Sequence, residues 1–182
     1  MVLRPAVTPA ETIPFDQVFD TYYPAVFRYF RYRGGDADTA NDLASCVFEK
    51  AIASLARYDP HKGQIQTWLF AIARNLAINQ WKSETAHPIT SLDELDLQAL
   101  DDDPPEQALI LVQDKEQVMQ ALQSLDLRSV EIIALKFGGG LTNSQIASLV
   151  HLSESNVGVI LYRSLLKLRA ILASSQAEVR HE

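Results

Sequence analysis

The chain has 182 residues, with 16 Lys and Arg against 23 Asp and Glu, so its formal net charge is −7. That length admits one domain or two small ones, and a 47% hydrophobic content suits a globular chain rather than a disordered one. The single Cys46 excludes a disulfide framework and a cysteine-rich zinc site, no apolar run approaches the roughly 20 residues of a membrane span, and MVLRPAVTPAETIPF lacks the apolar core of a secretory signal. A cytoplasmic protein without membrane insertion is expected. At face value, −7 also argues against nucleic acid as a partner, because phosphate is repelled by a uniformly acidic surface.

The acid is not uniform. Residues 1–83 carry nine basic and eight acidic side chains, and residues 113–182 carry seven of each. Residues 84–112 carry no Lys or Arg and eight acids, together with Pro88, Pro104 and Pro105. A like-charged, proline-containing stretch extends by self-repulsion. It divides the chain into an N-terminal domain over 10–83, an acidic linker over 84–112 and a C-terminal domain over 113–175. The linker's apolar residues, Leu92, Leu95 and Leu97 among them, leave two readings open: a tether, or a segment that docks on something basic.

In the first domain, Phe15, Val18, Phe19, Tyr22, Val26, Phe27 and Phe30 recur at three- and four-residue spacing and predict a helix over 15–33. Pro24 is expected to kink or restart it, and Gly34-Gly35 to end it. Asp36 or Asp38 caps a second helix reaching Leu55, with Ala40, Leu43, Ala44, Val47, Ala51 and Leu55 inward. The stretch 57–64 is a loop, since it holds Pro60 and Gly63. The third helix, 66–82, buries Trp68, Leu69, Ile72, Ala73 and Leu76. Asn75 and Asn79, mediocre helix formers one turn apart, suggest a polar contact surface. No alternating strand pattern occurs, so the fold class is all-α.

The second domain begins with a helix over 106–123 and a shorter one over 128–136, the latter placing Val130, Ile133, Ala134 and Phe137 inward. Gly138-Gly139-Gly140 reads as a helix break; no strand precedes it and no Lys-Ser/Thr pair follows, so it is not a phosphate loop. Thr142 and Gln145 form a capping box for a helix over 143–150. The turn His151-Leu152-Ser153 leads to a long helix over 154–172, with Val157, Ile160, Leu161, Leu165, Leu168 and Leu172 inward. Short helix, tight turn, longer helix describes a helix-turn-helix, whose second helix can enter a major groove. Its exposed surface would be Ser155, Asn156, Val159, Tyr162 and Arg163. Arg163, Lys167 and Arg169 make that helix locally cationic, and local charge is what phosphate feels within about 8–10 Å.

The stretches DADTANDLASCVFEKA, RYDPHKGQIQTW and WLFAIARNLAINQWK resemble the polymerase-binding and minus-ten-binding domain of sigma factors of the extracytoplasmic function (ECF) group. IIALKF, GLTNSQIASLVHLSESNV and YRSLLKLR resemble the same family's minus-thirty-five-binding domain. The resemblance implies an initiation factor without catalysis, cofactor, metal or small-molecule substrate. It implies core RNA polymerase, promoter DNA and an anti-sigma factor as partners. Asp42, Leu43, Phe48 and Glu49 would face the polymerase. Tyr58, Lys62, Gln64, Gln66, Arg74, Asn75, Asn79 and Lys82 would receive the opened minus-ten strand, because rings stack on bases and amides read their edges. Ser155, Asn156, Val159, Tyr162, Arg163 and Lys167 would meet the minus-thirty-five duplex, with Lys167 and Arg169 on phosphates or in internal pairs. The linker's eight acids would suit a basic nucleic-acid channel of the polymerase.

The chain departs from the family pattern in places. Ser45 and Cys46 stand where a Gln and an acid are usual. His151 replaces the turn glycine, and Gly158 stands where a Lys is common. A lone cysteine on a mostly apolar helix reads as packing rather than a redox site. A stand-alone helix-turn-helix regulator is the alternative function, but it leaves WLFAIARN unexplained. An α-helical enzyme is disfavoured, since His61, His87, His151 and His181 lack metal-ligand spacing and no catalytic arrangement stands out.

Overall fold

The computed structural model describes residues 14–84 and 116–179, with side chains over 14–80 and 116–174. Residues 85–112 of the expected linker and the part of the next helix expected before residue 116 lie outside them. The described residues are helical throughout their regular structure, in keeping with the all-α expectation.

Helix α1 spans Phe15–Tyr32 and runs through Pro24 without restarting. Proline removes one donor and crowds the carbonyl four residues back, here that of Asp20. Both positions are exposed, so water can take up the freed carbonyl. Helix α2 spans Ala37–Ser54 and is capped by Asp36, whose carboxylate accepts the Thr39 N–H at 2.6 Å. That bond holds the Asp36 carboxyl below its ordinary range. A short 3-10 turn, Leu55–Arg57, precedes the loop, and helix α3 follows over Ile65–Glu84. Helix α1 packs on α2, and α2 on α3.

The second unit opens with helix α4, ending at residue 123. Helix α5 spans Leu127–Ile133, and its cap is Asp126, which accepts the Arg128 and Ser129 N–H groups and the Ser129 hydroxyl. These bonds, the Ser129 hydroxyl foremost, lower the Asp126 carboxyl's pKa. The chain then widens into a π turn over Ala134–Gly138, closed by the Gly139 N–H donating to the Ala134 carbonyl at 2.9 Å. Helix α6 spans Asn143–Val150 and helix α7 spans Glu154–Val179.

Two expected core positions of the second unit are corrected. Phe137 is 50% exposed, while Ile132 and Leu135 are wholly buried. The π turn holds more than 3.6 residues, so the inward stripe changes register across it. On α7, Leu165 is 44% exposed and Ser164 is buried in its place, because the stripe runs Val157, Leu161, Ser164, Leu168. The glycine run also breaks the helix later than expected. Gly138 still belongs to the π turn, and Gly140, at φ +70°, makes the exit.

The two units touch. Helix α1 lies against the π turn and α3 against α6, and Tyr29, Phe30 and Phe70 of the first unit share a continuous core with Ile132, Leu135 and Leu141 of the second.

Candidate nucleic-acid interface

The C-terminal end of α2 and the facing side of α3 enclose an open groove of about 450 Å³. Exposed Ala53 lines it, as do half-buried Ile72 and Leu76. Ile72 and Leu76 were expected in the core, but the inward stripe of α3 is Ile65, Leu69, Ala73 and Ala77, four residues apart. The exposed amides of Asn75 and Asn79 stand in the groove, one turn apart on α3. Exposed Lys50 and Arg57 also line it, from α2 and the 3-10 turn. Neither cation was among the residues expected to receive the strand. They precede the recognisable WLFAIARN run, and only the packing of α2 on α3 brings them to Asn75. Apolar walls, two amides and two cations can hold a planar, polar-edged, anionic ligand such as a nucleotide.

The loop from Tyr58 to Gln64 adjoins this groove. Tyr58 lies 5.2 Å from the Trp68 ring, centre to centre, and its hydroxyl donates to the Gly63 carbonyl at 3.1 Å. Partial burial raises the Tyr58 pKa, so the phenol stays a neutral donor. Lys62 is exposed, 3.9 Å from Asp59. Gln64, Gln66 and Arg74 each engage the second unit. Gln64 accepts from the Gln145 amide at 2.8 Å, Gln66 donates to the Gly139 carbonyl at 2.9 Å, and Arg74 pairs with Glu131 at 2.7 Å. The Lys82 side chain lies outside the described residues.

The helix-turn-helix forms as its caps require. Thr142 and Gln145 complete the reciprocal capping box. His151 takes the left-handed turn conformation at φ 56°, which histidine adopts more readily than branched residues. The Ser153 hydroxyl accepts the Asn156 N–H at 3.2 Å. Ser155, Asn156, Val159, Tyr162 and Arg163 are all exposed, Tyr162 by 66%. Lys167 makes an internal contact: its ammonium donates to the Ser124 carbonyl at 2.7 Å, just past the C-terminal end of α4.

On α2, Asp38, Asp42, Ser45, Glu49 and Ile52 share one exposed stripe at alternating four- and three-residue spacing. Ile52, 60% exposed, was not foreseen there. Phe48 lies in the core, and Leu43 lies inward as its place on the helix stripe predicts. Phe48 is 3% exposed and packs among Phe15, Phe19 and Tyr23, and Leu43 is partly buried against the core. Their place is to hold α2 on its neighbours, leaving Asp42 and Glu49 as the outward pair of the expected four.

Residues 18–87 match the Sigma-70 region 2 family, and residues 115–168 match Sigma-70 region 4. The chain belongs to the ECF group of the sigma-70 family. The RNA polymerase sigma factor YlaC of Bacillus subtilis is 29% identical over 166 residues, covering 91% of this chain and 95% of that protein. The ECF sigma factor BldN of Streptomyces coelicolor is 27% identical over 163 residues, covering 89% of this chain but 61% of that longer protein. The fold is shared with the sigma factor RpoE of Bartonella quintana, solved with the anti-sigma factor NepR, at a TM-score of 0.69 and 20% identity over 87% of this chain and 96% of that one. It is shared too with CnrH, solved with the cytosolic domain of CnrY, at a TM-score of 0.64 and 21% identity over 88% of each chain. As a sigma factor, the chain directs RNA polymerase to promoters. The regulator alternative does not account for a region 2 match that spans the WLFAIARN segment. No helix among the described residues is long and apolar enough to cross a membrane.

Proposed function

We propose that the two units divide promoter recognition between them. The groove between α2 and α3 receives an unstacked base of the non-template minus-ten strand. Asn75 and Asn79 read its edge, and Lys50 and Arg57 hold the flanking phosphates. The exposed face of α7 enters the minus-thirty-five major groove through Ser155, Asn156, Val159, Tyr162 and Arg163. The acidic stripe of α2, with Asp42 and Glu49 outward, docks on a basic surface of core polymerase. An anti-sigma protein, the kind of partner with which the Bartonella RpoE was solved, is the proposed regulator. The chain contributes binding steps alone, and bond formation belongs to the polymerase.

The observation that carries this reading is the groove, because it assembles amides, cations and an apolar lining from separate elements. An unstacked base needs such a receptor, since extrusion costs a few kcal/mol. The test is the salt dependence of polymerase holoenzyme binding to a single-stranded minus-ten oligonucleotide. Each phosphate neutralised on a single strand contributes about 0.7 to the slope of log affinity against log salt. Replacing Lys50 and Arg57 together by Ala is expected to reduce that slope by about 1.4. An unchanged slope would remove the groove from the path of the DNA.

A further inference from the structure

The side of α7 that faces away from the core carries an aliphatic residue at its centre. The buried stripe of the helix is Val157, Leu161, Ser164 and Leu168. At about 100° per residue, Val159 lies opposite that stripe, with Ser155, Tyr162 and Arg163 around it. Val159 is 44% exposed and Tyr162 66%. A surface helix ordinarily turns polar side chains outward. Here, on the second helix of a helix-turn-helix, a valine stands where a base edge would be met.

Gly158, the neighbour of Val159, adds a second observation. Its backbone is ordinary, since the positive-φ glycines among the described residues are Gly34 and Gly140. Beyond its chain neighbours and its own helix, a Cβ there would have one atom within 4 Å, the Asn143 amide nitrogen at 3.9 Å. That is an ordinary contact, so neither packing nor backbone geometry calls for glycine. A glycine inside a helix costs stability. What it provides at this position is room on the flank of Val159, where the wall of a groove can come close.

The chemistry of a duplex edge decides what such a face can read. Guanine, cytosine and adenine are recognised in the major groove through hydrogen bonds, and valine has neither donor nor acceptor. The one groove feature that an aliphatic side chain discriminates is the C5-methyl group of thymine. Between Ser155 and Ser174 the helix carries no acid, and Ser155, Asn156 and Arg163 interleave with the apolar residues. That combination suits a polyanion with an apolar spot better than it suits a protein partner.

We propose that Val159 is a specificity-determining residue that reads a thymine methyl group in the minus-thirty-five element, with Tyr162 widening the apolar contact and Gly158 clearing the approach. This rests on the placement of α7 in that groove. The element then holds a fixed A·T pair opposite Val159, while Arg163 supplies the charge for a phosphate or a guanine. One methyl group taken out of water is worth about fourfold in affinity.

The test uses holoenzyme reconstituted from the chain and core polymerase, and the duplex it selects from a random pool. Each thymine of the selected minus-thirty-five element is replaced in turn by deoxyuridine, which removes the methyl group and keeps every hydrogen-bonding group. Deoxyuridine at one or two positions is expected to weaken binding about fourfold each. Val159→Ser is expected to abolish that penalty and to lower affinity for the unmodified duplex by a similar factor. Gly158→Leu, with helicity unchanged, is expected to weaken the same duplex at least tenfold; unchanged binding there overturns the clearing role. A flat deoxyuridine scan, or a selected element with no fixed A·T pair, overturns the methyl reading. Arg163→Ala separates that failure from misplacement of α7. If Arg163→Ala weakens binding to duplexes that carry the element while the scan is flat, α7 is in the groove and Val159 does not read a methyl. If neither change has an effect, α7 is not in the groove. Loss of core polymerase rather than of duplex in Val159→Ser would make the face a protein-docking surface and overturn the proposal as well.

Discussion

Asn75→Ala is expected to slow promoter opening by the holoenzyme about ten- to a hundredfold while leaving minus-thirty-five duplex affinity within about twofold. An amide that hydrogen-bonds a base edge contributes about 1–3 kcal/mol of recognition, and each 1.4 kcal/mol is about tenfold. Asn75 is exposed in the groove, where a base can reach it, and it packs no core. Its loss should therefore act on strand capture rather than on stability. Fluorescence of a base analogue within the minus-ten element reads opening, and a duplex carrying only the minus-thirty-five element reads the other contact. Equal losses in both assays would separate Asn75 from the opened strand.

Phe30→Ala is expected to destabilise the protein by about 3–5 kcal/mol, the usual cost of emptying a buried aromatic site. Phe30 is fully buried, its ring 5.1 Å from that of Tyr29 and perpendicular enough for an edge contact. Against a typical total of about 5–15 kcal/mol, that is a large fraction. With a urea slope of about 2 kcal/mol/M, the midpoint should fall by about 1.5–2.5 M. Phe137→Ala serves as the contrast: a half-exposed ring should shift stability by about 0.5 kcal/mol or less. Similar losses for the two would mean that the register change across the π turn is wrong.

That pair of phenylalanines also shows where the sequence was legible. Helix order, the Asp36 cap, the Thr142–Gln145 capping box and the left-handed His151 are local features, each decided by a few adjacent residues. Helix order and the capping box could be read in advance, the cap of α2 was narrowed to Asp36 or Asp38, and His151 was placed in the turn. Phe137 and Leu165 were placed inward by an unbroken 3.6-residue period, which carries no notice of a π turn or of a serine taking an inward position. Tyr29 and Phe70 went unnoticed because they pack between the units, off the stripes that a single helix displays. The groove followed the same pattern. Asn75 and Asn79 announced themselves as polar residues on an apolar helix, while Lys50 and Arg57 needed tertiary structure to join them. Glycines 138 and 139 were read as a break, and only the approach of α1, whose Tyr29 backbone would stand 2.9 Å from a Cβ on Gly138, gives the first of them a second meaning.

Charge underwent a similar change. Residues 84–112 carry −8 and the rest of the chain +1, and the surfaces assigned to DNA carry Lys50, Arg57 and Arg163. Such a chain is expected to bind promoter DNA weakly alone and to depend on polymerase for delivery, because a few cations release few counterions. The direct measurement is run-off transcription with purified core polymerase on templates selected by their binding to the reconstituted holoenzyme. The expected result is a unique start site that requires the chain and is lost when the minus-ten or minus-thirty-five element is scrambled. Tight duplex binding by the chain alone, with no change in where core polymerase starts, would contradict it.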